Sequence, residues 1–210
     1  IGGIEASLRR IAHFDYWSET VRPSMLVPSK ADLLAFGKGE ETIVAVAERL
    51  RAGESVRDLR DLRGVAYLLG MKEELPPPPA SSPWKTLELP GFDEVAADKL
   101  AFAKMTRSFH QETNPFNARR LVQAQGDRKA VLNPPCLPLD EARMDAIYDL
   151  PYARRPHPRY DQPIPAFEMI RDSIEIMRGC FGGCTFCSIT MHEGRVIQSR
   201  SKRSILREVE

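Results

Sequence analysis

Three of the four cysteines of the chain lie within one short segment, CFGGCTFC, as Cys180, Cys184 and Cys187. Their spacing is C-x3-C-x2-C, with Gly182 and Gly183 between the first two. Glycine lets the backbone curl without Cβ clashes and leaves amide N–H groups free to face sulfur. Because no secretion signal precedes these thiols, their clustering favours a metal or redox site over disulfide bonds.

Different metal centres would give these cysteines different functions. A structural zinc site needs four closed ligands, and the fourth would have to be His192 or Cys136. An iron–sulfur cube held by three thiolates leaves one iron open for a substrate or cofactor, and the spacing favours this arrangement over zinc. With Cys136 as a distant fourth ligand, the cube would instead belong to an electron carrier. The zinc-binding interaction module and the electron carrier therefore stand as alternatives to an enzyme with an open iron.

The composition of the chain is that of a globular protein. Of its 210 residues, 42% are hydrophobic and 28% are charged, and the net charge of +1 gives no electrostatic argument for binding nucleic acid or an acidic membrane surface. The sequence holds no run of 18 apolar residues and no signal peptide, so we expect a cytoplasmic protein without a membrane span. The chain has no initiator Met and its last residues, SILREVE, have a helical pattern, which predicts a piece of a longer protein.

The chain is predicted to divide into three segments. Residues 1–70 are predicted to alternate helices and strands, with a short strand at residues 24–27, a better one at 32–36 and another at 64–70. The segment TIVAVAERLR has Ile43 and Leu50 at helical spacing. Strand, glycine turn and helix in this order predict part of a doubly wound α/β domain. The turn Gly37-Lys38-Gly39-Glu40 lacks the full pattern of a phosphate-binding loop.

The second and third segments are predicted to connect to and carry the cysteine loop. Residues 71–165 contain a proline-rich linker at 76–83, a helix at 93–113, two strands around the turn at 126–127 and a proline-rich strap. The basic strap sequence RRPHPRY offers an RNA-contacting alternative, although neighbouring acidic residues and prolines favour a solvated strap. Residues 166–210 are predicted to form a strand at 171–179, the cysteine loop and a terminal helix.

Several longer strings carry a resemblance to a known family. The cysteine segment matches the signature of radical S-adenosylmethionine (SAM) enzymes, with Phe186 at the aromatic position. Nearly the whole chain resembles the YgiQ-like family of radical SAM proteins, most clearly in GGIEASLRRIAHFDYW, ADLLAFGKGE, FHQETNPFNARRLVQ, IYDLPYARRPHPRY and IPAFEMIRDSIEIMRGCFGGCTFCSIT. The resemblance implies the later part of a Rossmann-like, cobalamin-binding-like domain at residues 1–70, followed at 166–210 by the start of a partial (β/α) barrel of the TIM type. Cobalamin binding itself is not inferred.

The resemblance also implies the chemistry. Cys180, Cys184 and Cys187 would ligate three irons of a [4Fe-4S] cluster, and SAM would chelate the fourth. Phe186 would pack against SAM, while Arg200 is a candidate for binding its carboxylate, with a structural role as the alternative. Such an enzyme needs a cellular electron donor such as flavodoxin or ferredoxin and a substrate that the sequence does not name. The 210 residues alone are expected to be inactive, because other parts of the SAM site would lie outside them.

Overall fold

A computed structural model describes residues 1–80 and 84–210 of the chain. The helices within these ranges are α1 (Ile4–Leu8), α2 (Leu26–Ser29), α3 (Glu40–Arg51), α4 (Phe92–Ala97), α5 (Lys99–Gln111), α6 (Glu141–Tyr148), α7 (Pro165–Ile170), α8 (Ile189–His192) and α9 (Lys202–Val209), with a 3₁₀ helix at Asp58–Asp61. The strands are β1 (His13–Asp15), β2 (Thr20–Arg22), β3 (Leu34–Ala35), β4 (Val65–Gly70), β5 (Thr86–Glu88), β6 (Arg120–Gln125), β7 (Arg128–Leu132), β8 (Met177–Arg178) and β9 (Gln198–Ser199).

The chain divides into two compact units. The first unit, here the N-terminal unit, is formed by Ile1–Leu137 together with Cys180–Val196. The second, the C-terminal unit, is formed by Pro138–Gly179 and Ile197–Glu210. The cysteine loop therefore belongs to the same compact unit as the first 137 residues.

A five-stranded mixed sheet organises the N-terminal unit. Its strand order is β3-β4-β7-β6-β5; the β5–β6 pair is parallel and the other three pairs are antiparallel. The two-residue turn between β6 and β7 makes these strands antiparallel neighbours, as the sequence around Gly126-Asp127 predicts. The prediction of a mixed α/β fold is confirmed, whereas the specific doubly wound, Rossmann-like description is not. The sheet takes strands from both sides of residue 70, so it joins the first two predicted segments.

Alternating residues of the strands supply two apolar clusters on opposite faces of this sheet. On one face, Ala66 and Leu132 pack with buried residues of α4 and α5, including Val95 and Met105. The other face carries a smaller cluster around Tyr67: Val65, Tyr67, Leu69, Val122 and Val131. Both faces are covered, which is why the strands read as nearly continuous apolar runs in the sequence.

Several predicted elements change in the structure. The predicted strand at residues 24–27 is wrong, since Leu26–Ser29 is helical as α2. The predicted helix at 93–113 is two helices, because Asp98 leaves the helical conformation and caps α5 by accepting hydrogen bonds from the backbone of Leu100 and Ala101. Of the predicted linker at 76–83, residues 76–79 have no regular secondary structure. Ser81, Ser82 and Pro83 lie outside the described residues.

The regular structure of the C-terminal unit consists of the helices α6, α7 and α9 and the short strands β8 and β9. The predicted strand at 171–179 is reduced to β8, which pairs antiparallel with β9. Neighbouring strands of a (β/α) barrel are parallel, so the predicted barrel start is not confirmed. None of the helices within the described ranges is long and apolar enough to cross a membrane.

Candidate functional site

The cysteine loop is closed at its base by the backbone. The Cys180 amide donates a hydrogen bond of 3.1 Å to the carbonyl oxygen of Gly194. Gly179 and Gly194 have φ of +86° and +85°, in the left-handed region that favours glycine. These two glycines, rather than Gly182 and Gly183, provide the positive-φ turns at the two ends of the loop. Their left-handed turns are a feature that sequence reasoning missed, although glycine next to a motif is the signal that would have found them.

Gly182 has a different role, next to the first sulfur. Its amide lies 3.4 Å from Cys180 Sγ, in line with the predicted amide-to-sulfur contact. A Cβ on Gly182 would lie 3.2 Å from the same sulfur, whereas one on Gly183 would meet nothing within 4 Å. Hydrogen bonds to cysteine sulfur are among the features by which proteins tune iron–sulfur clusters.

The three thiols are free but are not gathered into a ligand set. Cys184 is exposed, Cys180 and Cys187 are half-buried, and none takes part in a disulfide. Within the described ranges, no three His, Cys, Asp or Glu side chains are arranged to hold a metal ion. The loop nevertheless suits an iron–sulfur cluster in two respects. It supplies three cysteines at a suitable spacing, and the Gly182 amide lies near Cys180 Sγ. The ligand roles of the three cysteines stay predictions.

The two residues predicted to contact SAM have different surroundings. Phe186 is 90% exposed at the tip of the loop. Arg200 is 4% exposed within the C-terminal unit, where its guanidinium lies 4.0 Å from the centre of the Tyr148 ring. It donates to the carbonyl of Glu175 at 3.0 Å, forms an ion pair with Glu208, and bonds Ser204 through Nε and Nη2. These contacts are consistent with the structural role that is the alternative to SAM binding, and SAM binding by Arg200 stays a prediction.

The two alternative fourth ligands lie in buried or partly buried settings. The thiol of Cys136 lies 2.9 Å from Thr42 Oγ1, and burial raises its pKa, which disfavours the thiolate that a metal needs. Burial, followed by the charge of Lys38, lowers the pKa of His192 at the end of α8. Neither side chain joins the three cysteines in a ligand group in the described part of the chain.

The basic strap is exposed and partly ion-paired. Residues 154–160 of the C-terminal unit are exposed and have no helix or strand. Arg154 forms an ion pair with Glu208. The strap therefore lies at the surface, which is expected both of a solvated strap and of one that contacts RNA, so the RNA-contacting alternative stays a prediction.

Comparison with known proteins identifies the family. The family model described as Radical SAM N-terminal matches residues 1–173. A UPF0313 protein of Bradyrhizobium diazoefficiens is 55% identical, with 100% of this chain and 33% of the relative covered. A UPF0313 protein of Geobacter sulfurreducens is 52% identical (100% and 34% covered), and the UPF0313 protein YgiQ of Escherichia coli K12 is 46% identical (100% and 35% covered).

The chain thus spans about a third of the length of the curated relatives it matches. No solved structure matches it. The family model ends before Cys180, whereas the alignments to the relatives cover the whole chain, including the cysteine loop. The chain belongs to the YgiQ-like UPF0313 family of radical SAM proteins.

Proposed function

We propose that the chain is part of a radical SAM enzyme and carries the cluster-binding loop of that enzyme. The observation that carries the proposal is the C-x3-C-x2-C segment in a member of this family, with the Gly182 amide at Cys180 Sγ. Cys180, Cys184 and Cys187 would hold three irons of a [4Fe-4S] cluster. When bound and reduced, such a cluster supplies one electron that cleaves a carbon–sulfur bond of SAM to methionine and a 5′-deoxyadenosyl radical, which takes hydrogen from a substrate.

The residues of this chain would bind and orient the cofactors. The three cysteines lie on one short loop, which is closed by the Cys180–Gly194 hydrogen bond. Bringing their thiolates to one cluster therefore costs little loop-closure entropy. The exposed Phe186 side chain would be available to cover SAM and exclude water. Such an enzyme would also need an electron donor such as flavodoxin or ferredoxin to reduce the cluster, and a substrate from which the radical takes hydrogen.

The proposal includes a domain organisation taken from the family. Residues 166–210 would contribute the first strand, the cysteine loop and the first helix of a partial (β/α) barrel, after a Rossmann-like domain and a connecting region. The curated relatives are about three times as long as the matched part, which leaves room in them for the rest of a barrel.

Anaerobic reconstitution with iron and sulfide, read by absorption and electron paramagnetic resonance, tests the cluster. The wild-type chain is expected to take up a [4Fe-4S] cluster, and Cys184→Ala and Cys187→Ala are expected to lose it. Cys136→Ala is the matched control, since it removes the fourth thiol of the chain and should leave the cluster intact.

Other results would support the alternatives. Stoichiometric zinc without any iron–sulfur signal would favour the zinc-binding module, and loss of the cluster in Cys136→Ala would favour the four-cysteine electron carrier. Production of 5′-deoxyadenosine from SAM by the longer protein, abolished by Cys184→Ala, would establish the class of reaction.

A further inference from the structure

We propose that the N-terminal unit positions the cysteine loop through an anchor formed by Gly37, Lys38, His192 and Glu193. The inference rests on the proposed function, because it assigns these residues a part in holding the cluster-binding loop. It goes beyond that function in giving the first 137 residues a direct role at the cluster site.

Helix α8, which begins two residues after Cys187, packs into the N-terminal unit. Met191 is 8% exposed and belongs to the same apolar cluster as Ala6 and Ile11. Helices α1 and α8 are in contact, and Thr190 is also buried. The chain immediately after the third cysteine is therefore fixed by core packing, although the loop before it is largely exposed.

Gly37 also makes a close backbone approach to α8. Its φ is +75°, and a Cβ at this position would lie 3.3 Å from the carbonyl oxygen of His192. Its amide donates a 2.9 Å hydrogen bond to Oγ of Ser7, which is fully buried. Glycine meets both demands, since it accepts the left-handed conformation and leaves room for the His192 carbonyl.

The next residue adds a charged contact. Lys38 Nζ lies 3.1 Å from Glu193 Oε1, with side-chain exposures of 22% and 24%. Partial burial reduces the screening that makes fully exposed ion pairs weak. The pair joins the turn after β3 to the first residue after α8, so it restrains the end of the cysteine segment.

These contacts leave the loop with a fixed base and a free tip. The Cys180–Gly194 hydrogen bond joins the start of the segment to the residue that follows Glu193. Cys184, at the tip, is exposed. A fixed base reduces the conformational entropy that three thiols lose on binding one cluster, so weakening the base should weaken cluster retention.

Variants of the ion pair test the anchor. Lys38→Met and Glu193→Gln each remove the pair, and the charge-reversed double variant Lys38→Glu with Glu193→Lys restores it. Glu54→Gln is the matched control, because it removes an ion pair to Arg49 in the same unit in which no residue of 180–194 takes part. Thermal unfolding checks that every variant folds.

Two readouts separate the anchor from the proposed function. Hydrogen–deuterium exchange of residues 180–194 in the cluster-free chain should rise ~3- to 10-fold in each single variant, as expected when a partly buried ion pair stops restraining a local opening. In the reconstituted chain, iron loss to a chelator should accelerate by a similar factor. The double variant should recover both rates, and Glu54→Gln should match wild type.

Each result has a definite consequence. Unchanged exchange in Lys38→Met and Glu193→Gln would overturn the anchor, even if the wild type binds a cluster. Raised exchange of residues 180–194 with an unchanged rate of iron loss would overturn the positioning role. A wild type that takes up no cluster would overturn the proposed function, while the exchange measurements on the cluster-free chain would still decide whether the anchor exists.

Discussion

Gly64 allows a sharp test of the packing beneath α3. Its φ is +69°, its amide donates to the Pro134 carbonyl at 2.8 Å, and its own carbonyl accepts a 2.9 Å hydrogen bond from Phe36. A Cβ on Gly64 would lie 2.3 Å from Cys136 Sγ and 3.2 Å from Thr42 Oγ1. Gly64→Ala therefore adds both backbone strain and a steric clash.

The two effects can be estimated separately. A non-glycine residue in the left-handed region costs about 1–2 kcal/mol. Forcing a methyl group into a packed site costs about 1–3 kcal/mol, and the lower end applies if Cys136 relieves the clash by rotating its side chain. The free energy of unfolding should therefore fall by about 2–5 kcal/mol in Gly64→Ala.

Denaturant unfolding of four variants measures these contributions. Gly53→Ala is the control, since Gly53 has φ of +93° with nothing within 4 Å of its Cβ position, and it should lose only the strain energy. Gly64→Ala should cost less in a Cys136→Ala background, because the clashing sulfur is gone, by about 1–3 kcal/mol. Equal costs for Gly64→Ala and Gly53→Ala, together with no coupling to Cys136, would refute the reasoning.

The remaining predictions concern single side chains. Because burial raises the pKa of Cys136 above that of an exposed cysteine, the folded chain retains this proton to higher pH than the unfolded chain, so the stability of wild type relative to Cys136→Ala should fall as pH rises above about 8.5. A difference that stays flat from pH 7 to about 11 would contradict this. Glu208→Gln leaves the buried Arg200 without its carboxylate and should cost about 3–5 kcal/mol, whereas Arg207→Gln, at an exposed pair, should cost under ~1 kcal/mol; equal losses in denaturant unfolding would disprove the assignment. Asp98→Ala removes the cap of α5 and should cost ~1 kcal/mol, with Asp98→Asn expected to recover most of it in thermal unfolding.

Much of the local structure was predictable because it depends on neighbours in the sequence. The apolar run of β4, the turn between β6 and β7 and the periodicity of α3 each indicated the element that forms. Periodicity did not reveal which face of α3 is covered. Ile43 and Leu50 are 60% and 42% exposed, while Thr42 is buried against the Cys136 region. Burial depends on what packs against a helix, and distant residues supply that.

The strand pairing shows the same limit. A strand, a glycine turn and a helix predicted a parallel crossover, yet β3 and β4 are antiparallel although α3 connects them. The short β3 pairs through only two residues, so the alternation of elements in the sequence placed little constraint on its direction.

For the candidate site, what could be predicted depends on how far apart in the sequence the residues concerned lie. The three thiols, their spacing and the family could be identified from the sequence, because they depend on nearby residues and on long matching strings. By contrast, the enclosure of Arg200 by Tyr148 and Glu208, and the packing of α8 and Glu193 against Gly37 and Lys38, are visible in the folded chain alone. Contacts between Lys38 and Glu193 join residues more than 150 positions apart, and no local pattern encodes such a pairing.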